Sequence, residues 1–534
     1  MPEASPSEPT RPDLSWDPRR QPCIPAVAVD GASAYHSLVA LFTTADELAA
    51  LDCASPGENV AVLEHLLAIC FASGTCPDSD EEWHDWVLGK QSLESAATWL
   101  LHQPDDSWDL FHPKDPLLQN SGLARDLSES GTGTAQLIIE HSGDYNVHFD
   151  HHHLGFDNPI PAAEAFRATL TQHVYATYGR ARMSGANLGA RVTNLAAGRL
   201  TGRIRVTALG QTLGETLRLN LYPPYGPPDS LNTSWTAGDI KRPATFHQKA
   251  KPRVPRSTAD LHSALGRSVL LRAGVGPHQE LVVDKVLIGA GETLELDPVR
   301  HLQDAVFNTT TNETKKPLWP SPSRALWQDA HALYCAVKDN QPGLYARLHS
   351  LPYDRQGTGA QYHLWAVGLL ANQTLPVIWT HGCYPYAPGM AAHLFRASRR
   401  GSDIAEYIAK CLKKAAILAA EAAFPAVRAA DEAGQIARLD ARYLFWPAAK
   451  DPFHELLDEV IDRGPEDDDP VSDPLIAYAE ELLATGRTQL LQRLDTLPPS
   501  DQCNRARADA IRQFDKDMSA KRAPAELRGE IARD

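Results

Sequence analysis

Apolar residues recur at helical spacing in ENVAVLEHLLAICFAS, residues 58 to 73, where Val62, Leu63, Leu66, Leu67 and Cys70 fall together and predict a helix. Upstream, the run from Ile24 to Val29 reads as a short strand. Downstream, Ser79 to Leu101 predicts a second helix, with Trp83, Trp86 and Val87 on one face. AQLIIEH, residues 135 to 141, reads as a strand. PIPAAEAFRATLTQHVYATY has proline where a helix would start and Ala/Leu spacing after it, so a helix is expected over about 161 to 178. GRARMSGANLGARVTNLAAGRLTGRIRV is rich in Gly and Arg and not periodic, which predicts an exposed loop. Residues 267 to 292 alternate and carry glycine turns, as a small antiparallel sheet would. SRALWQDAHALYCAV predicts a helix opened by Ser323, and His381–Gly382 reads as loop.

Beyond about residue 385 the pattern becomes wholly helical. Ile404, Ile408, Leu412, Ala415 and Ala416 form one stripe, and three further periodic segments follow, with GPEDDDPVSD as a solvated acidic turn. The expected fold is α+β: a disordered start (1–15), a large mixed α/β domain (16–383), then a C-terminal antiparallel four-helix bundle (384–534). A chain of 534 residues exceeds what one core supports, about 250–300, so two or more domains agree with its length.

Composition changes this picture little. The 43% hydrophobic and 22% charged content excludes wholesale disorder. No run of 18 apolar residues occurs, and the polar, proline-rich start has no signal-peptide core, so no membrane partner is expected. Eight scattered cysteines without a C-x-x-C pair read as reduced thiols, and the expected location is cytoplasmic.

Charge changes it more. The net charge is −16, yet Ala165 to Gly214 holds no Asp or Glu and seven arginines: 167, 180, 182, 191, 199, 203 and 205. An average stretch of that length would hold about six acidic residues. KRPATFHQKAKPRVPR, residues 241 to 256, adds six cations and no anion. Two readings fit: solvated faces paired with acidic surfaces elsewhere, or a groove focused on a polyanion. Arginine's planar fork suits phosphate and base edges, and glycine lets backbone approach a ligand. No phosphate-cradle motif accompanies the arginines, so extended nucleic acid fits better than a nucleotide.

YNVHFDHHHLGFD, residues 145 to 157, concentrates His148, Asp150, His151, His152 and His153. Such a tract could hold a metal, and a metal-dependent hydrolase using the His148–His153 cluster is the alternative function. Against it, adjacent side chains point in different directions, and no H-E-x-x-H or nucleophile elbow is present.

The collinear order of PCIPAV, WDLFHPKDPLLQ, AEAFRATLTQHVYATYG, GETLRLNL, SPSRALWQDA and AVGLLANQTLPV, ahead of a helical C-terminal part, resembles the CasA family. CasA proteins are the large subunits of the type I-E CRISPR surveillance complex Cascade. The resemblance implies a non-catalytic, cofactor-free protein that recognises the short PAM duplex beside a target, promotes R-loop formation and recruits the helicase-nuclease. Its implied partners are double-stranded target DNA, that nuclease and the crRNA-containing subunits: backbone, small and 5′-end cap.

The resemblance also implies site residues. The loop before the AEA helix would contact DNA around Asn146, Phe149, Asp150 and His151. A glycine loop within 179–202 would enter the PAM minor groove through Ser184, Gly185 and Gly189, with Arg182, Asn187, Arg191 and Arg203 reaching DNA. Readout there is degenerate, so a relaxed PAM preference is expected. Gln373 would wedge beneath the PAM. The family's lysine finger has no clear counterpart; only Arg300 stands in the matching stretch, with Lys315 and Lys316 further on. Bundle cations, chiefly Arg399, Arg400 and Lys413 beside Arg396, Lys410 and Lys414, would meet displaced DNA or neighbouring subunits. A cysteine cluster found in some relatives is missing, so no structural zinc is expected, and the chain reads as a divergent member.

Overall fold

The computed structural model describes residues 14–141, 158–180, 194–228, 230–240, 242, 251–309, 315–321, 324–353, 361–372, 375–425 and 429–530. The chain divides into two compact units, Met1–Pro322 with Trp365–His381, and Ser323–Leu364 with Gly382–Asp534.

The first unit is organised around one helix. In chain order it contains β1 (Ile24–Ala28), β2 (Ser33–His36), α1 (Leu38–Thr43), β3 (Leu48–Leu51), α2 (Pro56–Ser73), α3 (Asp80–Leu88), α4 (Glu94–His102) and α5 (Ala124–Ser130). After these come β4 (Ile160–Pro161), α6 (Ala162–Tyr175), β5 (Gly179–Arg180), β6 (Asn194–Leu195), β7 (Arg205–Leu209), α7 (Leu213–Asn220) and α8 (Thr258–His262). β8 (Arg267–Val275), β9 (Leu281–Ala290), α9 (Pro298–His301), β10 (Phe307–Thr309) and β11 (Lys315–Pro317) follow.

The Ser55 hydroxyl accepts from Glu58 N–H at the start of α2, Pro56 occupies its first turn, and Gly74 ends it at φ 68°. Val60 to Ala72 are all buried, on every face. A helix apolar all round belongs inside, and α4, α6, α7 and α8 all pack against α2. Strand order β2-β1-β3 and the hairpin β8–β9, extended by β4, supply small antiparallel sheets.

Three local expectations are corrected. Residues 79–101 form two helices, because the chain turns at Gly89 and at Lys90, whose φ is 49°. AQLIIEH is not a strand: its alternating burial is real, but two 3-10 turns carry it. The Gln172 side-chain amide, rather than a neighbouring strand, bonds the Gln136 and Leu137 carbonyls at 3.3 and 2.8 Å. The stretch 198–206 is not exposed loop; most of it is buried and it runs into β7.

The second unit holds α10 (Ala330–Lys338), α11 (Leu344–Ser350), α12 (Ala391–Ala423), α13 (Ala429–Leu439), α14 (Arg442–Ala448), α15 (Lys450–Arg463), α16 (Ser472–Leu494) and α17 (Asp501–Met518). The expected stripe of Ile404, Ile408, Leu412, Ala415 and Ala416 is fully buried on α12, against which α15, α16 and α17 pack. The C-terminal part is thus helical, as its periodicity predicts. Residues 323–364, read from sequence as part of the first domain, cluster with these helices instead. Arg324 pairs with Glu406 at 2.7 Å, and Ser402 Oγ donates to the Gln328 carbonyl at 3.1 Å.

Two long strands, β12 (Tyr362–Asn372) and β13 (Leu375–Tyr386), complete a sheet of order β13-β12-β7. His381 and Gly382 therefore lie in a strand, not a loop. Glycine is needed there, since a Cβ at residue 382 would sit 2.1 Å from the Tyr384 hydroxyl. Among the described residues no helix is long and apolar enough to cross a membrane.

Candidate nucleic-acid interface

Arg167, Arg199, Arg203 and Arg205, four of the seven arginines of the carboxylate-free window, fold inward. Arg167 on α6 donates Nε to Glu58 at 2.7 Å and Nη1 to the Cys23 carbonyl at 2.6 Å. Glu64, at the centre of α2, accepts from Arg199, from Arg205 Nε at 2.9 Å and from His262 Nδ1 at 2.7 Å. Arg203 grips Asp304 at two points, 2.5 and 3.2 Å. Burial pushes the Glu64 carboxyl up, but Arg199, His262 and Arg205 more than offset it and hold the group well below the usual range. Asp304 is likewise lowered: burial opposes ionisation, and Arg203 and Arg205 win.

This corrects the expectation for Arg203. Its guanidinium is 6% exposed and spent on a carboxylate, so it is a core residue rather than a DNA contact. Two arginines of the second basic run behave alike: Arg242 and Arg253 pair with Glu292, and Arg253 also with Asp260. The carboxylate partners of Arg167, Arg199, Arg203 and Arg205 come from distant parts of the sequence.

The expected contacts Asn146, Phe149, Asp150 and His151 lie outside the described residues, as do Arg182, Ser184, Gly185, Asn187, Gly189, Arg191 and Gln373. What the structure describes is the ground these segments, 142–157, 181–193 and 373–374, leave from and return to. β5 and β6 pair Gly179 with Leu195 and Arg180 with Asn194, closing the base of 181–193. Below it, Gly198 N–H donates to the Ala176 carbonyl at 2.7 Å and Leu200 N–H to the Val174 carbonyl at 3.0 Å. Gly198 permits this approach, because a Cβ would lie 2.4 Å from the Val174 oxygen.

Trp379 on β13 ties these roots together. Its Nε1 donates to Glu140 at 2.6 Å, just before segment 142–157. Its ring meets Tyr175, the last residue of α6, edge-on at 4.8 Å between centroids. β13 begins at Leu375, directly after residues 373–374 and four positions before Trp379. The ring also fills the space over Gly57, where a Cβ would come 2.0 Å from it. Gly57→Ala is therefore expected to cost about 1–3 kcal/mol by overpacking, read as a lower denaturation midpoint. The sequence reading missed Trp379; its signal was a lone tryptophan in the apolar run LPVIW.

Arg300 is exposed on α9 and stacks over Tyr225, 4.1 Å from the ring centroid. Of the helical-unit cations, Arg400 pairs with Glu526, with both Nε and Nη2 within 3.0 Å, and its side chain is 34% exposed. Arg396 pairs with Asp469, and Lys414 with Asp517 at 2.9 Å. Arg399 lies 3.7 Å from Asp403 and Lys410 3.7 Å from Glu406, both at the surface, and Lys413 is exposed. Among the described residues no group of three His, Cys, Asp or Glu could hold a metal, and the histidines at 148–153 lie outside them.

A family model described as CRISPR-associated protein Cse1 matches residues 20–492. The chain belongs to the Cse1 family. The Cse1 fold is evident in solved structures as well. Thermus thermophilus CasA (Cse1) aligns with a TM-score of 0.68 at 18% identity, over 94% of this chain and 99% of that one. Cse1 from Acidimicrobium ferrooxidans gives 0.71 at 18%, over 94% and 100%. A chain of a solved CRISPR RNA-guided surveillance complex gives 0.66 at 20%, over 94% and 99%. At such identities the likeness to these Cse1 structures speaks for the fold. No curated protein matches the sequence.

Proposed function

We propose that the chain is the large subunit of a type I-E RNA-guided surveillance complex, where it reads the PAM duplex, helps to part the target strands and receives the helicase-nuclease, with no turnover of its own. The observation that carries this reading is the Cse1 family match over residues 20–492. The neighbourhood of Trp379 is a physical reason to look at segments 142–157, 181–193 and 373–374 together: it bonds Glu140 just before the first, packs on Tyr175 at the end of the helix before the second, and lies on the strand that follows the third.

In this reading Ser184, Gly185 and Gly189 lie along the minor groove, and Arg182, Asn187 and Arg191 donate to base edges or phosphate. Asn146, Phe149, Asp150 and His151 meet the same duplex from the preceding segment. Gln373 takes the place of the first target pair beneath the PAM, offsetting unstacking that costs a few kcal/mol. Arg203 leaves the contact set, and Arg400 stays in it beside its Glu526 pair. Arg399 and Lys413 remain as surface cations for displaced DNA or the small subunits, and Arg300 for the DNA flank.

The test uses assembled complex. Gln373→Ala is expected to slow R-loop formation at least tenfold, about 1.4 kcal/mol, with binding to the PAM duplex kept. Opening kinetics equal to wild type would remove Gln373 from the mechanism.

A further inference from the structure

Arg300 on α9 is exposed, and among the described residues no carboxylate pairs with it and no oxygen accepts from its guanidinium. Arg199, Arg203, Arg205, Arg242 and Arg253 of the same unit are each ion-paired. Asp297, three residues before Arg300, spends its Oδ1 on the N–H groups of Val299 and Arg300, at 3.0 and 2.7 Å. The guanidinium instead lies over the Tyr225 ring, 4.1 Å from the centroid. One face is thereby covered, while the N–H edges keep no protein acceptor. That disposition suits a phosphate taken edge-on by two donors.

The ring is itself held in place. Tyr225 N–H donates to Thr258 Oγ1 at 2.9 Å, and Thr258 N–H returns to the Tyr225 carbonyl at 3.0 Å, at the start of α8. His301, 3% exposed, meets the ring at 5.4 Å between centroids, and its Nδ1 accepts from Asp297 N–H at 2.8 Å. Gly226, at φ 77°, carries the chain past Arg256, where a Cβ would lie 2.1 Å from the carbonyl oxygen. Pro223, Pro224, Pro227 and Pro228 flank the turn and restrict its φ angles. The Tyr225 hydroxyl is buried without a hydrogen-bond partner among the described residues. Burial pushes it up to about 12, with Arg300 opposing, so the side chain is neutral. What Tyr225 offers Arg300 is a ring face.

We propose that Tyr225 is the positioning residue for Arg300, holding the guanidinium flat beneath its open N–H edges so that it takes a phosphate of the DNA flank with two donors at once. The inference rests on the reading of Arg300 as a contact for that flank. A free arginine side chain loses rotamer freedom when it binds, and one already stacked has lost much of it beforehand. Tyr225 thus contributes to affinity only through Arg300.

The experiment uses assembled complex carrying wild-type subunit, Arg300→Ala, Tyr225→Phe, Tyr225→Leu, or Tyr225→Leu with Arg300→Ala. The probe is a duplex bearing a guide-matched protospacer and a preferred flank, titrated over a series of salt concentrations. Arg300→Ala is expected to bind roughly tenfold more weakly, with a slope of log K against log salt smaller by about one. Tyr225→Leu should lose roughly three- to tenfold, and Tyr225→Phe should bind as wild type, since the ring is kept. The double variant should be no weaker than Arg300→Ala alone. Further weakening by Tyr225→Leu in the Arg300→Ala background makes Tyr225 a structural residue and overturns the assignment. So does wild-type binding by Tyr225→Leu where Arg300→Ala is weakened, and so does a loss in Tyr225→Phe, which would place the effect in the hydroxyl. Wild-type affinity and slope in Arg300→Ala overturn the reading of Arg300, and the inference with it. Where Tyr225→Leu does not assemble, Tyr225→Met takes its place; failure of both makes Tyr225 a core element only and overturns the assignment.

Discussion

Glu64→Leu is expected to destabilise the first unit by about 3–5 kcal/mol, read as a large fall in the denaturant midpoint of that unit. Glu64 is 1% exposed on α2 and is the common acceptor for Arg199, Arg205 and His262. Removing it strips Arg199 of its carboxylate and Arg205 of one of its two. Asp304, 3.5 Å from Arg205 Nη1, still pairs with that group, but Arg203 already holds it at two points, and among the described residues no ion pair joins it to Arg199. Leucine's apolar surface does nothing for the stranded charges. Glu64→Gln, which keeps the shape and one carbonyl oxygen, should lie between the two. A loss below about 1 kcal/mol for the leucine variant, the range of exposed ion pairs, would mean that water reaches the cluster.

Acid should act on the same core through histidines that carry no charge. His65 on α2 stands between the rings of Trp108 and Phe166, 6.1 and 5.9 Å away, and His173 is held neutral between Leu118 and Arg267. Burial, and for His65 the nearby His173, pull each from 6.5 to about 4. Between those values the unfolded chain binds protons that the folded chain refuses. The contribution of these groups is therefore complete above about pH 6.5 and is lost progressively down to about pH 4. The two together amount to a few kcal/mol. His262, also lowered by burial although Glu64 opposes the shift, steepens the same decline. Melting temperature followed from pH 7 to pH 4 should fall over this window, and His65→Leu should flatten the curve. A profile that is flat down to pH 4.5 would show that these imidazoles reach solvent.

Much of the scaffold was legible because it is locally encoded. β1, α2, α6, the hairpin β8–β9 and the stripe of α12 each follow from periodicity and end signals within a few turns of chain. The failures share the opposite property. Arg205 meets Glu64, and Arg203 meets Asp304, across more than a hundred residues, so arginines that belong to a buried lattice could read as part of an open groove. AQLIIEH has the alternation of a strand, and only the remote Gln172 decides otherwise. The break at Lys90 turns on one positive φ. The candidate site was legible through the order of family motifs, since three of its segments are recognisable in sequence. Their common footing was not, because Trp379, Gly57 and Glu140 are far apart along the chain.

Neither compact unit is continuous in sequence. The first is finished by Trp365–His381, a stretch made only after Ser323–Leu364 has begun the second. During synthesis the ribosome must therefore release β12 and most of β13 before the sheet containing β7 can close. Until then Arg205 and its neighbours wait beside an unfinished wall. A nascent chain stalled near residue 322 would be a substrate for chaperones rather than a free-standing domain, and a truncation that stops there would inherit the same incompleteness.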